Sequence, residues 1–243
     1  MRYCFKVAYD GRAYAGFQSQ TNAVAIQDVL EELLSVIFTE KIRITMASRT
    51  DAGVHALGQV FHLDSEKQRD PAKLKHAMNT QLPKDIHILS VAIVDPEFHA
   101  RFSVKRKTYR YLINIGEYDV FLNERAYQCR YALDLYKMKA ACQLFLGRHD
   151  FGSFNTASYE EYPNQFRTIY KLTIERQADL LTVEITGDGF LRNMVRIIVG
   201  TLVDVGRGQK SLAEVKDMIE KPNKMVRRYN APAGGLYLIN IEY

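Results

Sequence analysis

The first hundred residues alternate between segments with strand-like and helix-like spacing of apolar positions. Four short segments predict strands, at residues 2–9, 42–47, 59–63 and 86–94. Apolar residues recur at helical spacing from Ile26 to Ile37, and Asp70 followed by Pro71 marks the start of a second helix. The predicted order is strand, helix, strand, strand, helix, strand, which is the ferredoxin-like split βαβ arrangement.

The second half of the chain repeats this order. Four segments predict strands, at residues 108–115, 170–174, 181–185 and 235–241. Three segments predict helices, one begun by Asp134 and ended by Gly147 and two more at residues 190–205 and 212–219. We therefore predict an α+β fold of two ferredoxin-like halves with their sheets side by side, divided into an N-terminal domain at 1–100 and a C-terminal domain at 101–243.

The composition narrows the class of protein. The chain has 243 residues, 47% of them apolar and 25% charged, which suits two compact domains and argues against broad disorder. Cys4, Cys129 and Cys142 lack the spacing of a disulfide framework or a metal site. The chain starts without the apolar block of a signal peptide, and no segment approaches bilayer length. We expect a soluble cytoplasmic protein.

Positive charge favours a polyanionic partner. The net charge is +5, and five basic residues fall within residues 101–110, interleaved with aromatic ones. We call residues 101–110 the basic–aromatic stretch. Such a segment neutralises phosphates while a ring stacks on a base, and it is equally compatible with a solvated strand edge. The smaller group Arg227, Arg228 and Tyr229 has the same two interpretations.

Asp51 is the first candidate for chemistry. It lies in a predicted turn between two strands, preceded by Arg49 and followed by Gly53. One interpretation is a tight turn with an exposed ion pair between Arg49 and Asp51. The other is a catalytic loop, because loops positioned by sheets are where catalytic groups concentrate. The local sequence is compatible with both.

Arg196 is the second candidate. The predicted helix at 190–205 is apolar over most of its circumference, which indicates burial on more than one side. Arginine is almost never fully buried unless it is paired, so Arg196 needs an anion, either a carboxylate or a phosphate. The alternative is a guanidinium that reaches solvent along an apolar stem.

Several families of enzyme are excluded by the motifs that are missing. The sequence has no Gly-rich phosphate loop, no dinucleotide fingerprint, no serine nucleophile elbow and no His-Glu-x-x-His metal helix. Asp51 and His55, or His55 and His62, lack a third and fourth ligand at matching spacing. An enzyme of this sequence is expected to work with side chains alone, without a metal or another cofactor.

Five segments together resemble one family over the whole chain, in order. These segments are Tyr9–Gln20 with Tyr9-Asp10-Gly11 and Gly16-Phe17-Gln18, Arg49–Ala56, Phe98–Tyr111, Gly187–Arg196 and Ala231–Leu236. In combination they resemble the bacterial tRNA pseudouridine synthases that modify the 3′ side of the anticodon stem-loop, at positions 38, 39 and 40.

The resemblance implies a cofactor-free isomerase that converts uridine to pseudouridine in tRNA. It also implies a catalytic cleft between the two ferredoxin-like halves, and a homodimer that grips one tRNA. Asp51 resembles the catalytic carboxylate of the family. It would either add to C1′ as a nucleophile or remove a 2′ proton to give a glycal, and both routes fit the sequence.

The resemblance also implies roles for the other candidates. Arg196 resembles the basic partner that keeps Asp51 ionised. Tyr109 would pack against the target base, and Leu236 would form an apolar wall of the same pocket. Arg49 would help to hold the uridine out of its stack. In the basic–aromatic stretch, the residues expected to contact the RNA backbone are Lys105, Arg106 and Lys107.

Two other functions compete with this interpretation. Ferredoxin-like domains often bind RNA through aromatic residues of their sheets, so a non-catalytic RNA-binding protein is one alternative. A nucleosidase-like hydrolase is the other, since it also uses a carboxylate at C1′ but releases the base to water. A binding protein has no need for Asp51, Arg196 and Leu236 together.

Overall fold

The structure is a computed structural model that describes all residues, 1–243. It has five helices and ten strands. The helices are α1 (Ile26–Phe38), α2 (Pro71–Gln81), α3 (Leu135–Leu144), α4 (Met194–Gly206) and α5 (Leu212–Glu220). The strands are β1 (Arg2–Tyr9), β2 (Thr45–Met46), β3 (His55–Asp64), β4 (Ile86–Val94), β5 (Arg106–Asn114), β6 (Tyr127–Gln128), β7 (Gly147–Asp150), β8 (Phe166–Gln177), β9 (Leu180–Gly187) and β10 (Leu236–Glu242). The fold class is α+β, as predicted.

The chain divides into two compact units, residues 1–105 with 237–243 and residues 106–236. This division differs from the predicted domains 1–100 and 101–243, because the C-terminal strand returns to the first unit. Tyr237 of β10 lies opposite His55 of β3 in a parallel ladder. Pairing of this kind is decided by tertiary structure, and nothing local in residues 237–243 indicates which sheet they join.

The first unit is built on a sheet with the strand order β4-β1-β3-β10, and β2 also pairs with β3. β1 is antiparallel to both of its neighbours. Its alternate residues Tyr3, Phe5 and Val7 are fully buried, as the alternation predicts. The ring of Phe5 stacks on that of Phe61 with the centroids 4.7 Å apart.

The helices of the first unit begin where side chains satisfy free backbone donors. Asp28 accepts a hydrogen bond from the backbone nitrogen of Ala25 at 2.9 Å, at the start of α1. Asp70 Oδ1 accepts from the nitrogen of Lys73 at 2.8 Å, with Pro71 in the first turn of α2. Both arrangements are typical helix starts, and the second is the one predicted.

β2 is shorter than the strand predicted at residues 42–47. Side chains of α1 take the backbone donors of this segment: Ser35 Oγ accepts from the nitrogen of Ile42 at 2.9 Å, and Glu31 Oε1 accepts from the nitrogen of Ile44 at 2.9 Å. These donors are therefore not available to a strand ladder, and pairing with β3 is confined to Thr45 and Met46.

The second unit has an antiparallel sheet with the strand order β5-β9-β8-β7, and β6 pairs in parallel with β5. One face of this sheet is apolar and buried, and it carries Tyr109, Tyr111, Ile113, Leu181, Val183 and Ile185. α3 packs against β8, α4 and α5. The alternate residues of β5 and β9 form a polar face, which is only half-buried.

α4 is buried on nearly all sides, as the sequence predicts. Arg196 and Asp204 are the only residues of α4 that are not buried. The helix begins at Met194, later than the predicted start at Phe190. The reason is Asn193, whose φ of 62° places it in the left-handed region, which interrupts the helix before Met194.

Candidate active site

Asp51 lies in a loop between β2 and β3, and backbone hydrogen bonds hold this loop. The nitrogen of Phe17 donates to the carbonyl of Thr50 at 3.3 Å, and the nitrogen of Val54 donates to the carbonyl of Asp51 at 3.1 Å. Thr50 Oγ1 shares a hydrogen bond of 2.8 Å with the hydroxyl of Tyr9. Asp51 itself is half-buried. The carboxylate therefore lies on a loop that hydrogen bonds hold at Thr50 and at the backbone of Asp51 itself.

Two glycines let other segments approach this loop closely. Gly16 has a φ of 89°, and a Cβ atom there would overlap the carbonyl oxygen of Thr50. A Cβ on Gly11 would overlap the carbonyl oxygen of Val54. The loop is thus packed against the backbone of residues 11–17, which lie within the first of the five segments that carry the family resemblance.

A group of polar side chains supports the far end of the loop. His55 is buried, and its Nδ1 accepts a hydrogen bond from the nitrogen of Gly11 at 3.2 Å. Its ring stacks on Tyr237 with the centroids 4.6 Å apart. Burial by itself raises the pKa of Asp10, but the hydrogen bonds from Arg12 and the nearby His55 outweigh it and bring the pKa to about 2. Asp10 therefore carries a stable negative charge beside His55.

Arg49 is exposed on the same loop as Asp51. Its neighbour Thr50 is buried, so the loop turns one side chain outward and the next one inward. Both candidates of this loop, Arg49 and Asp51, belong to the first unit. The exposed guanidinium of Arg49 can reach an anionic ligand that enters from solvent.

Arg196 is held in a defined orientation within the second unit. Its Nε donates to the carbonyl oxygen of Ala231 at 2.7 Å, and its Nη1 donates to Oδ1 of Asn193 at 3.2 Å. Asn193 in turn donates from Nδ2 to Oγ1 of Thr156 at 2.9 Å. Asn193 is not among the site residues predicted from the sequence. The signal that could have found it is an asparagine directly before a helix, because asparagine tolerates the left-handed backbone.

Tyr109 and Leu236 are both nearly buried, each with 5% of its surface exposed. The ring of Phe190 meets that of Tyr109 edge to face, with the centroids 5.2 Å apart. Phe190 lies in a segment predicted as helix, and it was not identified as a site residue. Its position beside Tyr109 restricts how that ring can turn.

The basic–aromatic stretch is divided between the two units. Lys105 is exposed in the first unit, where its backbone nitrogen donates to the carbonyl of Glu242 at 2.8 Å. Arg106 is exposed in the second unit, with its guanidinium 5.0 Å from the centroid of the Tyr170 ring. Lys107 is half-buried. Two of the three predicted RNA contacts are therefore directly open to solvent.

The structure shows no metal-binding cluster, no membrane-spanning helix and no disulfide. No group of three or more His, Cys, Asp or Glu side chains is arranged to hold a metal ion. None of the helices combines the length and the apolar character that crossing a membrane requires. All three cysteines, Cys4, Cys129 and Cys142, are free thiols.

The sequence is similar to known proteins along its full length. A family model described as tRNA pseudouridine synthase matches residues 6–103 and 141–243. Proteins named tRNA pseudouridine synthase A include that of Bacillus licheniformis, 44% identical over 100% of this chain and 99% of the relative. That of Geobacillus sp. strain WCH70 is 44% identical over 98% and 96%, and that of Bacillus subtilis strain 168 is 43% identical over 100% and 99%.

Similarity to solved structures is much weaker. A chain of a Cbf5-Nop10-Gar1 complex aligns with a TM-score of 0.37 and 11% identity, covering 83% of this chain and 45% of that chain. The matched segments of the family model contain Arg49, Asp51, Arg196 and Leu236, whereas Tyr109 lies between them.

Proposed function

The chain belongs to the tRNA pseudouridine synthase family, and we propose that it isomerises uridine to pseudouridine at positions 38, 39 and 40 of tRNA. The observation that carries the proposal is the loop of Asp51. A carboxylate on a loop fixed by Phe17, Thr50 and Val54 is preorganised for attack, and that loop lies within the part of the chain matched by the family.

In the proposed reaction the C1′–N1 bond breaks, the freed uracil turns, and C5 bonds to C1′. The C5 proton is lost and N1 is protonated, so the product is an isomer and no oxidant or reductant is consumed. Asp51 either adds to C1′, forming an ester that C5 then displaces, or removes the 2′ proton to give a glycal to which C5 adds. Both routes need an ionised carboxylate.

We propose that the second unit also supplies residues for the reaction. Arg196 is the proposed basic catalytic residue, and its hydrogen bonds to Ala231 and Asn193 support a fixed guanidinium. Tyr109 packs against the target base, and Leu236 is an apolar wall of its pocket. The burial of both side chains supports these roles.

The uridine must leave its stack before a carboxylate can reach C1′. We propose that the exposed Arg49 helps to hold it in the extruded position. Lys105, Arg106 and Lys107 contact the RNA backbone, which the exposure of the first two supports. A homodimer binds one tRNA, in the cytoplasm, where the three free cysteines would stay reduced.

We also propose that each half has a ferredoxin-like fold. For the first unit, the order β4-β1-β3 with β2 paired to β3 supports this assignment, together with the element order strand, helix, strand, strand, helix, strand. The second unit has the same order as far as its second long helix (β5, α3, β8, β9, α4), with β6, β7 and α5 as additions, whereas the final strand β10 is counted with the first unit.

Release of tritium from tRNA labelled at uracil C5 tests the activity. Pseudouridine formation transfers tritium to water, hydrolysis of the glycosidic bond gives free labelled uracil, and a binding protein gives neither. We expect tritium in water and none in free uracil. The absence of tritium release from an unmodified tRNA transcript that the protein binds would overturn the proposal in favour of an RNA-binding protein.

The basic residues should control affinity. Replacing Lys105, Arg106 and Lys107 together by Gln should weaken tRNA binding and reduce the slope of log Kd against log salt by about 3, roughly 1 for each lost phosphate contact. A matched control replaces three exposed lysines that are paired with carboxylates, Lys137, Lys216 and Lys221. Equal slopes for the two triple variants would show that the stretch does not contact RNA.

Asn193 should act on the reaction through Arg196. Asn193→Gly keeps the left-handed backbone without strain but removes the acceptor of Arg196 Nη1. We expect kcat to fall about tenfold with KM unchanged, the size of one lost charge-assisted hydrogen bond. Asn193→Asp, which retains an oxygen acceptor, should restore most of the activity. If both variants lose activity only in proportion to their thermal stability, Asn193 has a purely structural role.

A further inference from the structure

The polar face of the second unit carries two arginines stacked on exposed aromatic rings. The guanidinium of Arg106 lies 5.0 Å from the centroid of Tyr170, and that of Arg148 lies 4.7 Å from the centroid of Phe166. Tyr170 and Phe166 are 48% and 43% exposed, so both rings are open to solvent in the complete chain. We call these four residues the arginine–aromatic surface.

The strand register places both pairs on one face. Arg148 lies opposite Thr168, and the next residue of β8, Ile169, is buried on the other face. Phe166 is two residues before Thr168, on the same face. Arg106 is two residues before Thr108, whose hydroxyl shares a hydrogen bond of 2.9 Å with Thr186. Arg106 and Arg148 are thus on β5 and β7, three strand spacings or about 14 Å apart.

Stacking leaves the hydrogen-bond donors of these arginines available. A guanidinium on a ring is held through its flat face, so its N–H groups point outward along the edge. Two other arginines of this unit are instead held by carboxylates: Arg192 is 2.7 Å from Glu161, and Arg110 is 3.5 Å from Glu184. By contrast, Arg106 and Arg148 lie over rings rather than against carboxylates, so their N–H groups can bind an anion.

Acidic groups near the surface are already engaged. Asp188 lies at the end of β9 between the two pairs, and its Oδ1 accepts a hydrogen bond from the nitrogen of Thr168 at 2.9 Å. Glu184 binds Lys171 at 2.8 Å as well as Arg110. The four residues thus form two cation–aromatic pairs on one face, and the carboxylates beside them, Asp188 and the cross-strand partner of Phe166, Asp150, already accept backbone hydrogen bonds.

We propose that the arginine–aromatic surface is a second RNA contact, in which the arginines bind backbone phosphates and the rings of Phe166 and Tyr170 stack on unpaired bases. Phosphate binding by a planar guanidinium and stacking on an exposed ring are the two interactions that recur in single-stranded RNA recognition. The proposal rests on the proposed function, because the RNA bound at this surface would be another part of the same substrate tRNA. It assigns roles to Arg148, Phe166 and Tyr170 that the catalytic step does not need.

The test separates charge from stacking. Arg148→Gln should raise the Kd for an unmodified tRNA transcript about tenfold and reduce the salt slope by about 1. Phe166→Leu should raise Kd by a similar factor and leave the slope unchanged, because stacking releases no counterions. In both variants KM should rise while kcat at saturating tRNA stays at the wild-type value.

Arg176→Gln is the matched control, because Arg176 is also on β8 and exposed but lies 3.7 Å from Asp179. Thermal unfolding of every variant shows whether the fold is retained. If Arg148→Gln and Arg176→Gln have the same Kd and salt slope, the surface proposal is overturned. The proposed function fails separately, by lack of tritium release from wild-type protein, and tRNA binding by the variants is measured independently of that result.

Discussion

Asp51→Asn is expected to abolish turnover while tRNA binding stays nearly unchanged. The amide is close to the carboxylate in size, so the loop held by Phe17, Thr50 and Val54 should keep its conformation. It is neither a nucleophile towards C1′ nor a base for the 2′ proton, so both chemical routes are lost together. We expect kcat to fall on the order of 10⁴-fold or more, as for other essential nucleophiles. Tritium release and Kd measured in parallel check the prediction.

Asp217→Asn is the control for this variant. Asp217 is an exposed carboxylate of α5 in an i, i+4 pair with Lys221, and its loss should leave both kcat and Kd as in the wild type. Turnover by purified Asp51→Asn within about tenfold of wild type would remove Asp51 from the chemical step.

Gly16→Ala is expected to have the second largest effect, on activity and on stability. Gly16 has a φ of 89°, and its new Cβ would overlap the carbonyl oxygen of Thr50, next to Asp51. The loop must move to relieve this overlap, and a displacement of about 1 Å at a reacting group can cost on the order of 10²-fold in rate. The positive φ and the overlap together should lower the free energy of unfolding by about 2–4 kcal/mol. Urea unfolding and steady-state kinetics measure the two effects.

Gly208→Ala separates backbone strain from crowding. Gly208 has a φ of 72°, but no atom lies within 4 Å of the Cβ position. This variant should lose about 1–2 kcal/mol of stability from the strain alone, with kcat unchanged. If Gly16→Ala is no less active than Gly208→Ala, the contact between residue 16 and Thr50 does not position Asp51.

Local sequence determined much of the secondary structure. β1 and β4 have the predicted bounds, and α2 begins after Asp70 with Pro71 in its first turn. The burial of α4 also follows from its composition, since residues that are apolar on all sides of a helix have to be covered. These features depend on residues within a few positions of one another, so the local sequence is enough to predict them.

The residues of the candidate site were also predicted from the sequence. The prediction came from the combination of motifs, because no single motif was sufficient. Asp51 alone was compatible with an exposed turn, and Arg196 alone with a guanidinium at the surface. The loop contacts of Asp51 and the hydrogen bonds of Arg196 to Ala231 and Asn193 came only from the structure. The roles of these residues in catalysis stay predictions.

Only the tertiary structure decided the features that depend on distant segments. β2 is short because Glu31 and Ser35 of α1 take the backbone donors of Ile42 and Ile44 just before it, and the C-terminal strand returns to pair with β3 of the first unit. A backbone donor binds whichever acceptor the folded chain brings within reach. The partner is therefore chosen by packing of the whole unit, whereas the spacing of apolar residues records only which face each segment buries.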